Sequence, residues 1–400
     1  MVILVVNAGS SSVKYAVIDP AEEREIGEGL VERIGSERAC LKAGARDGRT
    51  VERDVPGVAS VRDALAEIVT ALTSGPAACL RSLDEIDAVG HRVVQGADVF
   101  SGSVLVDGRV KADLSELSEL APLHNPANLA GIEAAEALLP GRPHVAVFDT
   151  AFHSTIPPRA HLYGLPIEFA RKHRLRRYGF HGTSHAWVSA RGIEMLGGPE
   201  HSRIVTAHIG NGVSLCAVRD GKSIDTTMGF TPLEGVVMGT RSGDVDPALV
   251  VYLIENLGMS TAEAERMLSG EGGLLGLAGI GSGDLRDVMK ARDSGDERAA
   301  TAYDVYVYRL VLAVGEMAAA LGGMDALVFT AGAGEHSPAL RADVCGGVEH
   351  LGVDVDPALN DDAEPDCDVS AAAARVRTLV VETQEDRMIA RETALVVERS

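Results

Sequence analysis

Two segments of this chain share a pattern of an apolar run, a glycine-containing polar turn and a second apolar run. The first reads VILVVNAGSSSVKYAVID at residues 2–19, and the second reads VTAHIGNGVSLCAVRD at residues 205–220. Short apolar runs that flank turn residues predict a strand, a tight turn and a strand. Because the unit recurs once, far along the chain, it indicates a duplicated fold and not a solenoid of many short repeats.

Both predicted turns offer backbone N–H groups of the kind that bind phosphate oxygens, and Lys14 lies beside the first turn. Two such hairpins that faced each other across a cleft would hold a triphosphate from both sides. Ordinary polar hairpins are the alternative interpretation of the same pattern.

The rest of the pattern mixes predicted strands with predicted helices, which is typical of an α/β protein. Strands are predicted at Ile86–Val94, Val145–Phe148, Ile204–His208 and Ala326–Thr330, and helices at Val61–Leu72, Asn128–Leu139, Thr261–Leu268 and about Thr301–Leu321. Residues 357–368 are acidic and predict a solvated loop.

Helix starts are signalled by capping residues and by proline in the first turn. They are predicted at Asn125-Pro126, at Ser337-Pro338, at Ser260 with Glu263 as a capping box, and at Thr183 or Ser184 before a helix from Ala186 to Leu196.

Composition narrows the classes of function. A chain of 400 residues predicts two domains, with a boundary near residue 150. A net charge of -21 argues against wrapping nucleic acid. The five cysteines are scattered without metal spacing, and no apolar run is long enough to be a signal peptide or a membrane span. We therefore expect a cytoplasmic protein with a small anionic ligand.

Three charged residues stand at positions that favour chemistry. Asp149 follows a buried-looking strand, at the end where α/β sheets bind ligands. Arg92 lies within an apolar strand, and Arg241 lies in the polar segment GTRSGD. Buried arginines need a partner, so each forms either a structural ion pair or part of an anion site that neutralises a phosphoryl group.

The segment YGFHGTSH at residues 178–185 places His181 near the start of a predicted helix. A neutral His181 that donates a hydrogen bond to an anion is the favoured interpretation. His181 and His185 are four residues apart, but Gly182 replaces the glutamate of the HExxH zinc motif, which disfavours a metal site.

These segments together resemble the acetate kinase family, within the acetate and sugar kinase/Hsp70/actin superfamily. The resemblance rests on NAGSSSVKY (7–15), GHRVV (90–94), HNP (124–126), FDTAFH (148–153), YGFHGTSH (178–185), HIGNG (208–212), DTTMGFTPLEG (225–235), GTRSGDVDP (239–247) and TAGAGEHS (330–337).

The resemblance implies an α/β fold of two ribonuclease H-like domains, which is a duplicated actin/Hsp70-type fold with the active site in the cleft between them. Residues 1–150 and 383–400 would form the N-terminal domain, and residues 151–382 would form the nucleotide-binding and dimerisation domain. The implied reaction is reversible phosphoryl transfer from ATP to acetate by direct in-line attack of the carboxylate. Mg²⁺ would assist the phosphoryl transfer, with Mn²⁺ as the alternative ion. The resemblance also implies a cytoplasmic homodimer without nucleic-acid or membrane partners.

The resemblance also implies a role for individual residues. The catalytic residues would be Asp149, His181, Arg241 and Arg92. The substrate would contact Arg92, Val94, Leu123, Phe180 and Pro232. The nucleotide would contact Lys14, His208, Gly210, Asn211, Gly212, Asp284, Leu285, Arg286, Gly332, Ala333 and Gly334. Asn7 and Glu385 would hold the metal.

The chain departs from the family pattern at a few positions, namely Gln95, Leu285, Ala331, Ala333 and His336. The small Ala333 is expected to widen the adenine site and to broaden nucleotide choice. Two alternatives to the implied function stay open, a propionate or butyrate kinase of the same family and an actin/Hsp70-like ATPase switch. The arginine pair and the YGFHGTSH segment argue against the switch.

Overall fold

The computed structural model describes residues 1–122, 124–198 and 200–400. The strands are β1 (Ile3–Ala8), β2 (Ser12–Asp19), β3 (Arg24–Glu32), β4 (Cys40–Ala45), β5 (Thr50–Asp54), β6 (Ala88–Val93), β7 (Val104–Leu105), β8 (His144–Phe148), β9 (Arg203–Ile209), β10 (Val213–Arg219), β11 (Lys222–Thr226), β12 (Ala326–Thr330), β13 (Cys367–Asp368) and β14 (Arg377–Val380).

The helices are α1 (Val61–Thr73), α2 (Gly108–Glu116), α3 (Asn125–Leu138), α4 (Pro158–His161), α5 (Ile167–Lys172), α6 (Gly182–Met195), α7 (Pro247–Glu255), α8 (Thr261–Ser269), α9 (Gly273–Ala278), α10 (Leu285–Asp293), α11 (Glu297–Leu321), α12 (Ala331–His336), α13 (Pro338–Gly347), α14 (Pro357–Asp361) and α15 (Glu385–Glu398). Short 3₁₀ helices lie at Leu83–Glu85, Leu117–Glu119, Ala151–Thr155 and Glu349–Leu351.

The chain divides into two compact units. Unit 1 contains Met1–Phe152 and Gln384–Ser400, and unit 2 contains His153–Thr383. No helix within the described ranges is both long enough and apolar enough to cross a membrane.

Unit 1 is built on a sheet with the strand order β5-β4-β3-β2-β1-β6-β8-β7. The strands β1, β6 and β8 are parallel neighbours, and β1 to β5 form an antiparallel meander. One face of the sheet packs against α1 and α3, and the other face packs against α15. The sheet is therefore buried on both faces at β1, β6 and β8, which explains why those strands are mostly apolar, with Asn7, His91, Arg92 and His144 as the exceptions.

Unit 2 repeats this arrangement with the order β11-β10-β9-β12-β14-β13. Again an antiparallel hairpin, β9–β10, leads into parallel neighbours, β12 and β14. The helix α11 contacts β9, β10 and β11, whereas α6 contacts β9 and β12. The predicted duplicated α/β fold is confirmed by the shared order of the two sheets.

Both hairpins predicted from the sequence are present, and their turns are closed by short backbone hydrogen bonds. The amide of Gly9 donates to the carbonyl of Ser12 at 2.8 Å, and the amide of Gly210 donates to the carbonyl of Gly212 at 3.1 Å. The two helix starts at Ser337 and Ser260 are also confirmed, and Ser260 forms its capping box with Glu263.

Two predicted helix starts are wrong. The N-cap of α3 is His124 and not Asn125, because the Asn125 side chain bonds the backbone of Gln95. The helix α6 begins at Gly182, several residues before the predicted start, with His181 as its N-cap in the left-handed conformation. The hydroxyl of Ser184 does not cap the helix, since it is hydrogen-bonded to His208.

Two segments contain regular structure that the sequence pattern does not predict. Residues 331–336 form the short helix α12 directly after β12. The acidic segment 357–368 contains α14 and β13, and its carboxylates Asp366 and Asp368 pair with Arg191 and Arg377. Acidic composition alone mispredicts this segment, because ion pairs and the buried Asn360 fix it to unit 2.

Candidate active site

Three predicted site residues lie on one face of the unit 1 sheet, near one edge. Asn7 precedes the end of β1, Arg92 precedes the end of β6, and Asp149 directly follows β8. These strands are parallel neighbours, so their carboxyl ends meet at one edge. Successive strand residues alternate between faces, which puts Asn7, Arg92 and Asp149 on the face that α15 covers.

Arg92 and Asp149 form a two-pronged ion pair. The Nε atom of Arg92 donates to Oδ1 of Asp149 at 2.9 Å, and Nη2 donates to Oδ2 at 2.6 Å. Asp149 is 1% exposed. Arg92 therefore forms an ion pair with a buried carboxylate, which is one of the two roles that the sequence left open. The same pair fixes the direction in which the guanidinium points.

The charges around this pair keep Arg92 cationic. Burial lowers the pKa of the guanidinium, but the negative charges of Asp149 and Glu385 outweigh burial, so that the pKa is raised. Burial raises the pKa of Asp149, while Arg92 opposes the rise. The negative charges of Asp149 and Glu385 thus act on one cation, Arg92. A further positive charge near them would therefore be stabilised.

Glu385 is the first residue of α15, and its Oε1 atom is buried without a hydrogen-bond partner. A buried carboxylate oxygen with no partner is costly unless a cation occupies its free lone pairs. Carboxylate and amide oxygens such as those of Glu385 and Asn7 are the donors that Mg²⁺ prefers. The residues predicted for the metal therefore fit a hard divalent cation.

Lys14, predicted to contact the nucleotide, lies on β2 of unit 1 and is half exposed. Its Nζ atom donates to Oδ2 of Asp386 at 2.9 Å. Burial lowers the pKa of Lys14, but the charge and hydrogen bond of Asp386 and the charges of Glu28 and Glu385 together outweigh burial, so that the pKa is raised. Lys14 is thus a cation next to the first turn of α15.

Apart from Arg92, the residues predicted to contact the acid are apolar, and those described are buried or half-buried. Val94 and Phe180 are buried, Pro232 is half-buried, and Leu123 lies outside the described residues. The amide of Val94 donates to Oδ1 of Asn128 at 3.1 Å, which fixes the strand end beside Arg92.

In unit 2, His181 starts α6 with φ 55° and ψ 27°. Few residues other than glycine adopt this left-handed conformation, so it is held in place by surrounding contacts. The Nε2 atom of His153 lies 2.9 Å from the carbonyl oxygen of Phe180, and Gly179, at φ +77°, lies directly against the His153 ring.

The strands β9 and β10 present a polar row to α6. Their antiparallel register pairs Ser214 with His208 and Cys216 with Thr206, so that all four side chains lie on one face. His181, Ser184 and His185 lie on one face of α6, since they are three and four residues apart.

These two polar rows contact each other through hydrogen bonds and stacking. The Nδ1 atom of His181 lies 2.9 Å from Oγ of Ser214, and Oγ of Ser184 lies 2.8 Å from Nδ1 of His208. The rings of His181 and His208 stack at 4.2 Å between centroids. The predicted residues His181 and His208 therefore lie side by side.

Arg241 is a cation without a carboxylate within 4 Å in the described ranges, and burial lowers its pKa. Its Nη1 atom donates to the carbonyl of Pro232 at 3.3 Å and approaches Sδ of Met238 at 3.7 Å. A Cβ atom built on Gly212 would lie 3.3 Å from Nη1 of Arg241 and 3.4 Å from Nε2 of His181. The two nitrogens therefore flank the same point, where an anion would be neutralised.

A cavity of about 990 Å³ in unit 2 collects most residues predicted for the nucleotide. Its walls include Gly210, Asn211, Asp284, Leu285, Arg286, Gly332 and Ala333. Three other predicted nucleotide residues of unit 2 do not line the cavity but lie close to it in sequence. Gly212 and Gly334 directly follow the lining residues Asn211 and Ala333, and His208 is two positions before the lining residue Gly210. The volume is at the upper end of the range usual for small-ligand pockets.

Arg286, at the cavity wall, is not a free cation, because it is paired with Asp284. Its Nε and Nη2 atoms donate to the two carboxylate oxygens of Asp284 at 3.0 and 2.6 Å. Asp284 also caps α10 by accepting from the amide of Arg286. The pair is thus preformed at the start of α10.

The sequence interpretation missed several residues of this region. Ser214 and Thr206 are buried hydroxyls, and Met289, Lys290 and Tyr306 line the cavity. The first two had a signal, because polar residues alternate in two strands that are otherwise apolar. Tyr306 had none, since a tyrosine on the apolar stripe of a long helix is ordinarily core.

Residues 2–391 match the model of the acetokinase family. The chain belongs to this family. Among curated proteins, the acetate kinase of Syntrophomonas wolfei is 47% identical over 396 residues, which cover 98% of this chain and 99% of that protein. The acetate kinase of Thermotoga maritima is 48% identical over 403 residues, which cover 100% and 99%.

Solved structures of acetokinase-type proteins have the same fold. An acetate kinase from Porphyromonas gingivalis is 43% identical with a TM-score of 0.94, and the match covers 99% of both chains. A propionate kinase from Francisella tularensis is 38% identical with a TM-score of 0.92, again over 99% of both chains. The two differ in the acid named, so this similarity shows the family and its fold.

Proposed function

We propose that this chain transfers the γ-phosphoryl group of ATP reversibly to the carboxylate of acetate, giving acetyl phosphate and ADP. Membership of the acetokinase family supports the reaction class. The observation that carries the proposal is the position of Arg241 and His181, whose nitrogens flank one point above Gly212. A half-buried cation with no carboxylate partner among the described residues suits the anionic group that both reactants supply.

The reaction needs little proton transfer. One carboxylate oxygen of acetate attacks the γ-phosphorus, and a new oxygen–phosphorus bond forms. The bond from the γ-phosphorus to its bridging oxygen breaks, and that oxygen leaves on ADP with the electron pair. Because the nucleophile is already an anion, the main obstacle is repulsion between negative charges, and positive groups answer it.

The two arginines divide this task. Arg92, oriented by Asp149, would bind the acetate carboxylate and bring it to the phosphorus. Arg241 would bind the oxygens of the γ-phosphoryl group as their charge redistributes. His181 would donate a hydrogen bond to the same group.

Mg²⁺ would be held by Asn7 and Glu385, and Mn²⁺ is the alternative ion. The partnerless Oε1 atom of Glu385 supports this assignment. When bound, the ion would supply positive charge to the phosphate oxygens.

The nucleotide would occupy the cavity of about 990 Å³ in unit 2, with the base near Leu285 and Ala333. The small Ala333 side chain leaves a wide wall, so we expect ATP and GTP to be used at comparable rates. Val94, Leu123, Phe180 and Pro232 would contact the methyl group of acetate. One more methylene on the acid changes specificity by about 1–3 kcal/mol at most, so propionate is expected to be a slower substrate.

The proposal is tested by trapping the acyl phosphate with hydroxylamine. The chain is incubated with ATP, Mg²⁺ and one of formate, acetate, propionate or butyrate. We expect acetate to give the highest kcat/KM for hydroxamate, and ATP to be stable without acid. Equal ATP hydrolysis with and without acid would instead identify an ATPase switch, and a higher value with propionate would reassign the acid.

The assembly and the location belong to the same proposal. We expect a homodimer in the cytoplasm, as the family resemblance implies. Exposed apolar residues of unit 2, among them Tyr252 and Leu257, support an interface, and the scattered free cysteines support a reducing compartment. Sedimentation at micromolar concentration measures the mass, and a value for one chain would contradict the dimer.

A further inference from the structure

The Nδ1 atom of His181 is tied to a row of buried side chains that the proposed reaction does not use. Oγ of Ser214 lies 2.9 Å from Nδ1 of His181 and 2.8 Å from Nε2 of His185. Nδ1 of His185 lies 2.7 Å from Oγ1 of Thr206. Ser214, His185 and Thr206, called the relay below, are all fully buried, so bulk water does not compete for these bonds.

All hydrogen bonds of the relay are donated in the same direction along it. Each hydroxyl has one proton to donate, and a neutral imidazole has one N–H and one acceptor nitrogen. His185 is neutral, because burial and the neighbouring His153 and His208 lower its pKa well below the usual value. Once the proton at one end of the relay is placed, every other proton is fixed.

Thr206 sets the direction. Its hydroxyl lies 2.7 Å from Nδ1 of His185, but 3.5 Å from the carbonyl of Cys216, which is the outer limit of a hydrogen bond. The proton of Thr206 is therefore donated to His185. The Nε2–H group of His185 then donates to Ser214, and the hydroxyl of Ser214 donates to Nδ1 of His181.

We propose that the relay holds His181 in the tautomer protonated on Nε2, so that a neutral His181 donates a hydrogen bond to the transferring phosphoryl group. This inference rests on the proposed function for the identity of that group. The Nε2 edge faces Gly212 and Arg241. In the other tautomer Nε2 would present a lone pair to an anion, which is repulsive. Ser214, His185 and Thr206 are thus positioning residues.

The tautomer is measured directly in the 400-residue chain labelled with ¹⁵N-histidine. Two-bond ¹⁵N–¹H correlation spectra distinguish a protonated nitrogen from an acceptor nitrogen, and the His181→Gln variant assigns the signals of His181. At pH 7.5 we expect a proton on Nε2 and an acceptor at Nδ1. A proton on Nδ1, or averaged shifts at both nitrogens, would overturn the inference.

Two variants test whether the relay causes this preference. Thr206→Val removes the hydroxyl that sets the direction, although Thr206 bonds to His185 and not to His181. Ser214→Ala removes the bond to His181 itself. We expect both to give averaged His181 shifts. Ser189→Ala is the control, because Ser189 is a buried serine of α6 whose hydroxyl donates only to the carbonyl of Ala186.

Kinetics give the second readout. Losing one hydrogen bond to a charged group in the transition state lowers kcat by roughly ten- to a hundredfold. We expect this loss in Ser214→Ala and Thr206→Val, with KM for ATP and acetate nearly unchanged. Unchanged kcat with a lost tautomer preference would refute the catalytic consequence. If wild type makes no acyl phosphate, the proposed function fails, whereas the tautomer result still decides the relay.

Discussion

Arg241 illustrates what a single residue contributes in this protein. Burial lowers the pKa of its guanidinium, and the described residues offer no carboxylate within 4 Å to offset the cost. Arg92, in contrast, is already paired with Asp149. An unpaired cation costs stability until an anion binds, so Arg241 should be more important for the reaction than for the fold.

We therefore expect Arg241→Ala to lower kcat by on the order of 10³-fold or more, since arginines that contact a transferring phosphoryl group contribute on that scale. Unfolding by urea should show no loss of stability. Arg241→Lys should recover only part of the rate, because a point charge replaces the two-pronged donor.

Arg266→Ala is the matched control for this prediction. Arg266 is an exposed arginine of unit 2 that pairs with Glu271. Its removal should leave turnover unchanged. Turnover in Arg241→Ala equal to that of the control would remove Arg241 from the chemistry.

At the scale of elements, the sequence predicts what is local and fails where distant residues decide. The hairpins β1–β2 and β9–β10 and the start of α13 at Ser337 follow from neighbouring residues, and they are confirmed. The side chain of Asn125 would cap α3 on local grounds, but it bonds the backbone of Gln95, 30 residues earlier in the chain. A tertiary contact overrides the local preference there.

The site residues divide in the same way. Asp149 and Arg92 can be predicted as site residues, because the sequence shows a charged residue at the end of an apolar strand. Their pairing depends on the parallel register of β6 and β8, which no local pattern encodes. The relay depends on the register of β9 and β10 as well as on the left-handed start of α6, so it could not be predicted.

The packing of α15 on β6 gives a prediction at this scale. A methyl group on Gly90 would overlap Oγ1 of Thr393 and approach Cγ2 of Ile389 to 3.0 Å. Overpacking of this kind costs roughly 1–3 kcal/mol. We expect Gly90→Ala to lower the free energy of unfolding by that amount, and to weaken turnover, since α15 carries Glu385.

The double variant Gly90→Ala/Thr393→Ala should recover part of the lost stability, because residues in contact are not additive. Gly108→Ala, where a methyl group meets nothing within 4 Å, is the control. Strictly additive free energies of unfolding would refute close packing between Gly90 and Thr393.

At the scale of the whole molecule, buried histidines make stability depend on pH. Burial lowers the pKa of His91 and His185 well below the usual value, and it lowers that of His144. The unfolded chain binds protons at these sites near pH 6.5, whereas the folded chain does not. Stability from these groups is therefore complete above that pH and is lost as the pH falls below it.

We expect each of the three histidines to lower the free energy of unfolding by up to about 1.4 kcal/mol for each pH unit below its pKa in the unfolded chain. Urea unfolding at pH 7.5, 6.5 and 5.5 measures the slope. His144→Gln should reduce the slope, and His173→Gln, at an exposed position, should not. An unchanged slope in His144→Gln would show that His144 is not held neutral.

In the proposed reaction, an oxygen of the carboxylate bonds directly to the γ-phosphorus. The most direct measurement uses acetate labelled with ¹⁸O in both oxygens, together with unlabelled ATP and the wild-type chain. The ³¹P resonance of the acetyl phosphate formed shows whether phosphorus carries one heavy oxygen. We expect the isotope shift of a single ¹⁸O on phosphorus, at the bridge to the acetyl group. Acetyl phosphate without that shift, or release of unlabelled phosphate alone, would contradict it.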